Sequence, residues 1–240
     1  MTAAALWPWP IVLYGHHVGR RLDHYTSMAT GDFERMLDIV QAAGDVTGLA
    51  ASSGGPAFAL TFDDGYADTL EFALPVLSDR GLGATLFVVP SWFGRAAEHE
   101  WAVGTRYATA AELRDAQAAG FDVASHTWSH PSLADLDAGQ VQQQVELAAS
   151  SLAAESLGAG LGDMLAYPYG FVPRSAPPSV RRGFSTVKAE AGCWECAPLA
   201  IRRVYLDSDN PSDWKATVDH WTDSWLRSRD HGGCPHRRST

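Results

Sequence analysis

Two aspartates stand side by side at the end of an apolar run, in FALTFDDGYADT over residues 58–69. An ionised carboxylate loses its hydration in apolar surroundings, so Asp63 and Asp64 need a partner where Ala57–Phe62 reads as a buried strand. Further along, SHTWSHP (125–131) offers His126 and His130, four positions apart. Two neutral imidazoles plus one carboxylate make a three-donor metal site with positions left open to water. A cation there also offsets the repulsion between adjacent carboxylates, which otherwise drives one of them to keep its proton. One helical turn from His126 to His130 would aim both imidazoles the same way. In the zinc-protease pattern HExxH the intervening glutamate is the general base; here Thr127 sits there, so the base must come from elsewhere. Gly65 lets the chain turn at once, so that Asp64 can ligate the cation while Asp63 stands beside the water. Taken alone, the Asp-Asp pair reads as an N-cap carboxylate with a solvated neighbour, and the histidine pair as two surface histidines.

The elements that must position these groups alternate between short apolar runs and helical patterns, which favours a parallel α/β sheet or barrel. IVLYGH (11–16), AFALTF (57–62), ATLFVVP (84–90), FDVASH (121–126) and DMLAYPYG (163–170) read as strands, with FSTVK (184–188) and AIRRVYL (200–206) following. Phe33, Met36, Leu37 and Val40 share one face of a helix over 32–44. The helix after the second strand has Pro75 in its first turn. Thr109 and Glu112 form a capping box, and another helix runs from about Asp137 to Leu157. Segment 90–107 reads as loop. Trp214, Val218, Trp221 and Trp225 make a stripe on the last helix, read as core in preference to a sugar-stacking wall. Residues 1–240 show no composition shift that marks a second domain. In such folds ligands bind at the carboxyl ends of the strands, where Asp63-Asp64, SHTWSHP and YPYG all fall.

The net charge of −10 argues against nucleic-acid binding, which needs a basic stripe. No run approaches the ~18 apolar residues of a membrane span. The start MTAAALWPWPIVLYGHH lacks a basic residue ahead of its apolar run and contains Pro8 and Pro10, so it reads as mature sequence and the expected location is cytoplasmic. Cys193, Cys196 and Cys234 number three; with His236 they form a loose zinc pattern, against the simpler reading of surface thiols or one loop disulfide.

TFDDGY, SHTWSHP and AYPYG, in this order and at these separations, resemble the NodB-type polysaccharide deacetylases, carbohydrate esterase family four. The likeness extends from IVLYGHHV to the C-terminal helix. It implies a distorted (β/α)7 barrel, the NodB homology domain, as a single catalytic domain. It also implies a metal-dependent hydrolase that removes an N-acetyl or other N-acyl group from an amino sugar or related small molecule. The metal implied is divalent, zinc first, with cobalt, nickel or manganese as alternatives. Carried over by position, Asp63 is the base, Asp64, His126 and His130 are the ligands, and the Tyr169 amide faces the oxyanion.

Departures from the family pattern shape two further expectations. Many members carry arginine four residues before the glycine of the PYG motif, paired with the base; this chain has Ala166, and Arg203 in IRRVYL is the candidate replacement. The late Leu-x-His motif that houses the usual general acid is not recognisable, and DNPSDW (209–214) only loosely matches the aspartate-tryptophan motif before it. His16, His220, His231 and His236 are candidate acids. His16 is favoured because GHHV occupies the place of a YHxV signature after the first strand; His17 should point away. Two rivals stand beside this reading. One is a two-histidine, one-carboxylate iron oxygenase, although that class typically orders its ligands His-x-Asp and then a distant His. The other is a catalytically impaired carbohydrate-binding protein on the deacetylase scaffold.

Overall fold

Strand residues alternate between two faces, and in this chain both faces are apolar, so each strand must be covered on both sides. A barrel wrapped by helices meets that demand. The computed structural model describes residues 10–19, 22, 24–49, 57–98, 102, 104–186, 194 and 197–230. Its strands include β1 (Ile11–Gly15), β2 (His17–Gly19), β3 (Ser27–Ala29), β4 (Asp45–Thr47) and β5 (Ala57–Phe62). They continue with β6 (Thr85–Val88), β7 (Asp122–Ser125), β8 (Met164–Ala166), β9 (Arg182–Ser185) and β10 (Ile201–Val204). β5, β6, β7, β8, β9, β10 and β1 pair in parallel, and β1 returns to β5 to close a seven-stranded ring. This is the (β/α)7 barrel. β4 lies beside the N-terminal half of β5, and β6 beside its C-terminal half.

The alternation sorts the core into two clusters. Val12, Ala59, Phe87, Ala124, Ala166, Phe184 and Ile201 pack together inside the ring. Their neighbours Leu13, Phe58, Leu60, Leu86 and Val123 pack outward against the helices. Phe87 and Phe184 meet at 5.5 Å between ring centroids, and burying each such side chain contributes roughly 1.5–3 kcal/mol. The outer layer includes α1 (Thr30–Ala43), α2 (Leu74–Asp79), α3 (Ala110–Ala118), α4 (Ala138–Ala154) and α5 (Trp214–Asp230). α1 buries Phe33, Met36, Leu37 and Val40 as its period requires. Both halves of the Thr109–Glu112 capping box form at α3.

Three local readings change. IVLYGH is not one strand: β1 stops at Gly15, and β2 starts at His17 to pair with β3, so the residues before β3 fold beside the end of β1. The helix after β5 enters through a π-helical turn, Thr69–Ala73, before α2. Pro75 has no N–H to offer the Glu71 carbonyl, which favours the wider turn. The histidine segment after β7 is a loop and not a helical turn.

On the last helix Trp214 is 1% exposed and Val218 fully buried, and Trp221 packs against the same core. The Trp225 side chain lies outside the described residues, as do Cys193, Cys196, Cys234, His231 and His236. Among the described residues no helix is long and apolar enough to cross a membrane.

Candidate active site

Extending the inward positions upward places polar side chains at one mouth of the barrel. Past Ala59 and Thr61 on β5 comes Asp63; past Ala124 on β7 comes His126; past Ile201 on β10 comes Arg203; past Val12 and Tyr14 on β1 comes His16. All four leave carboxyl ends of strands or sit in their last turns. His17, out of phase by one, pairs instead with Asp68 at 2.6 Å and lies against the Tyr66 ring at 3.8 Å.

Asp64 is also out of phase, and backbone strain returns it to the site. It adopts φ 69° and Gly65 follows at φ 75°. A side chain at position 65 would press on Val88, so the turn needs glycine there. Thr127, His130 and Tyr169 are likewise left-handed, at φ 71°, 60° and 59°. Such conformations cost of order 1–3 kcal/mol each in non-glycine residues and gather at functional sites. The loop is held by the Thr127 hydroxyl, which accepts from the His130 amide, and by the Ser91 amide, which donates to the Trp128 carbonyl.

The outcome is a tight triad. Asp64 Oδ1 lies 3.5 Å from His126 Nε2 and 3.3 Å from His130 Nε2, and one donor atom from each residue falls within 4.8 Å of the others. His126 Nδ1 is 2.8 Å from the Ala166 carbonyl; the carbonyl can only accept, so Nδ1 carries the proton and Nε2 turns a lone pair inward. Asp64 Oδ1 is buried without a hydrogen bond. A buried orphan oxygen beside two imidazole nitrogens fits a divalent cation, and the N2O donor set suits zinc with an open position.

Asp63 is held differently. Arg203 donates from both terminal nitrogens to its two oxygens, each at 2.6 Å, and also reaches the Thr61 hydroxyl at 3.2 Å. The guanidinium, 1% exposed, lies over the rings of Tyr14 and Phe87. Burial by itself would raise the Asp63 carboxyl; the Arg203 charge more than offsets that and holds it well below the ordinary carboxylate range. Asp64 goes the other way: burial, then the charge of Asp63, push it up to about 8, opposed by the Tyr66 hydroxyl. His126 is lowered by burial, against the pull of Asp63.

An aromatic arc runs around the triad. Tyr66 stacks on Tyr107, Tyr107 on Trp92, and His130 lies between Trp92 at 5.0 Å and Tyr169 at 4.8 Å. The Tyr169 ring is 58% exposed. The structure thus gathers Asp63, Asp64, His126, His130, Arg203 and Tyr169. His16 stands beside them, its charge coupled to Asp63 and His126, while His220 is exposed on α5. Sequence reasoning missed Tyr66 and Trp92, which carry no pattern of their own, and also His24 and Thr26, which meet His16 through a loop of unremarkable composition.

A closed ring of seven parallel strands with its polar residues at one mouth is the architecture of the NodB-type deacetylases. IcaB from Ammonifex degensii superposes with a TM-score of 0.68 at 22% identity, over 88% of this chain and 97% of that one. The Streptococcus pyogenes deacetylase PplD, solved with acetate, superposes with a TM-score of 0.67 at 16% identity, over 88% and 99%. At such identities the likeness is one of fold. The family model for polysaccharide deacetylases matches residues 50–182, more than half of the chain, and this protein belongs to that family. A chitin deacetylase of Pestalotiopsis sp is 39% identical over 89 residues, 37% of this chain. YxkH of Bacillus subtilis is 31% identical over 111 residues, 46% of this chain, and the matched stretches span 36% of YxkH and 26% of the chitin deacetylase.

Proposed function

We propose that this protein is a metal-dependent carbohydrate N-deacetylase, acting on an N-acetylated amino sugar or a related acylated small molecule. The observation that carries the reading is the pairing of roles at the barrel mouth. One aspartate faces two imidazoles with an unsatisfied oxygen, and its neighbour is kept ionised by a buried arginine. Asp64, His126 and His130 are the ligands. They would hold a divalent cation, zinc first, which would supply a lowered pKa for water and polarisation of the acyl carbonyl.

The chain's own groups then divide the work. Asp63 accepts the proton of the attacking water, and Arg203 positions Asp63 and keeps it charged. The Tyr169 amide donates to the developing oxyanion, a type of contact whose removal elsewhere costs ~10²–10³ in rate. His16 protonates the departing amine, which is too basic to leave as an anion. Trp92 and Tyr169 narrow the approach to the ligand His130. Family membership supports a carbohydrate substrate, and the Pestalotiopsis relative acts on chitin by its name. Metal analysis of the purified protein, with acetate release measured from N-acetylglucosamine oligomers, tests the reading. Release should vanish with chelator, return with zinc, and be lost in Asp63→Asn. Release that persists in a metal-free protein defeats it.

A further inference from the structure

Beyond the ring, the loop between β2 and β3 brings two more residues to His16. His16 Nδ1 is 2.6 Å from the Thr26 hydroxyl oxygen, and that oxygen is 2.8 Å from His24 Nδ1. The backbone clamps this arrangement: the His16 amide donates to the Thr26 carbonyl at 3.3 Å, and Thr69 donates its hydroxyl to the His16 carbonyl at 2.9 Å. The imidazoles of His16 and His24 meet edge to face at 5.0 Å. Thr26 is 3% exposed, while His24 is only partly covered.

We propose that His24 and Thr26 form a proton relay behind His16, which stores a proton at His24 and returns it through His16 to the leaving amine. This rests on the deacetylase reading above, with His16 as the acid. The hydrogen bonds set a resting direction. The Thr26 amide donates to His24 Nδ1 at 3.4 Å, which marks that nitrogen as an acceptor. The single hydroxyl proton of Thr26 therefore also points to His24, and Thr26 Oγ1 accepts from His16 Nδ1–H. His16 Nε2, the nitrogen turned away from Thr26, then carries no proton of its own. In that tautomer His16 has no proton for a leaving amine.

A proton taken up from the site at His16 Nε2 reverses the chain. The Nδ1 proton of His16 passes to Thr26 Oγ1 and the hydroxyl proton of Thr26 passes to His24 Nδ1, so that His24 holds the charge, Thr26 donates to His16 Nδ1, and neutral His16 presents Nε2–H to the site. When the amine takes that proton, the hydroxyl proton of Thr26 moves to His16 Nδ1 and the Nδ1 proton of His24 moves to Thr26. His24 ends neutral, the resting tautomer is restored, and one proton has passed from His24 to the amine. The relay lets a deeply placed imidazole deliver a proton without holding net charge. Burial opposes such a charge, pushing His16 down to about 3, with Asp63 pulling the other way. Among the described residues, the titratable and charged groups around the relay include Tyr14 from β1, His17 next in the chain, Tyr25 stacked on His24 at 4.6 Å, Tyr205 against Tyr25, and His126 and Asp63 with Arg203 beyond His16.

The test compares two acyl substrates. An N-acetyl sugar needs its leaving amine protonated; an aryl acetate, with a good leaving group, does not. In Thr26→Val, which keeps the shape and loses the hydroxyl, the amide-to-ester ratio of kcat/KM should fall about 10²-fold, the scale of general-acid catalysis. Thr26→Ser should restore it, and His24→Gln should match the valine variant. An unchanged ratio in Thr26→Val, or an equal loss on both substrates, overturns the relay. Nitrogen-15 NMR of the histidine rings provides a readout that needs no turnover: His16 should be an Nδ1–H tautomer in the native protein and change in Thr26→Val. If the native protein cleaves neither substrate while those tautomers hold, the deacetylase reading fails and the hydrogen-bonded chain stands; the opposite tautomer at His16 overturns the relay whatever the activity.

Discussion

Replacing Arg203 by Met removes the charge and both short hydrogen bonds to Asp63 while keeping an apolar stem of similar reach. Asp63 and Arg203 are 3% and 1% exposed, so water cannot take the place of the lost partner. Breaking one side of a buried pair costs about 3–5 kcal/mol, and that loss should show as lower resistance to denaturant. The part that acts on Asp63 moves its proton affinity. One pH unit corresponds to ~1.36 kcal/mol, so about 3 kcal/mol of lost stabilisation of the charged form raises the carboxyl by about two units. The sign follows from which form the arginine favours. In the native protein Asp63 ionises below the ordinary carboxylate range, so the pair's contribution to stability is complete above ~pH 4 and fades only as pH falls through the native value. In Arg203→Met the acid limb of kcat/KM should climb by about two units, with activity partly recovered on the alkaline side. Arg203→Lys, which keeps a point charge without the fork, should fall between. The assay is acetate release across pH with saturating zinc, on protein shown to be folded. An acid limb identical to that of the native protein in folded Arg203→Met would refute the positioning role.

Other outcomes follow from the same geometry. In metal-free protein Asp64 is pushed up to about 8 by burial and the Asp63 charge, so it holds a proton that the unfolded chain releases near pH 4. Metal-free stability should therefore fall as pH rises from about 4 to 8, because the folded state binds the extra proton there. Zinc uptake at pH 7 should release about one proton, less at pH 9, measurable by calorimetry in buffers of different ionisation heat. Thr109→Ala removes the cap of α3, where Thr109 accepts from the Glu112 amide at 3.2 Å; a loss of about 0.5–2 kcal/mol without change in kcat would be the expected result in urea. Gly183→Ala should be severe, since a Cβ there would overlap the Tyr167 hydroxyl that donates to the Leu199 carbonyl. A midpoint within 1 °C of the native protein would contradict that packing.

Much of the architecture can be read without coordinates because its causes are local. Apolar runs such as AFALTF need cover on both faces, the α1 stripe follows a 3.6-residue period, and Thr109 with Glu112 states where a helix begins. The strand-end rule then gathers Asp63, His126 and PYG at one mouth, since the parity of a strand decides which residues look inward. The same parity separates His16 from His17. Local pattern failed where backbone strain replaces regular geometry. Nothing in SHTWSHP indicates that Thr127 and His130 go left-handed, and a helical turn was the natural expectation for a four-residue spacing. The break after Gly15 and the π-turn ahead of Pro75 are set by pairing with β3 and by a missing donor, neither visible as a period.

What only the tertiary structure decided is who stands beside whom across long separations. Arg203 was a candidate by its place near a strand end; its bidentate grip on a residue 140 positions earlier is a consequence of β10 and β5 flanking β1 in a closed ring. Thr26 and His24 reach His16 because β2 pairs with β3, a pairing too short to announce itself. Residue types and order determine which chemistry is available, through short-range propensities and motif spacing. Charge states and proton routes depend on burial and on distances of a few ångströms between residues remote in the chain, and ring closure sets those.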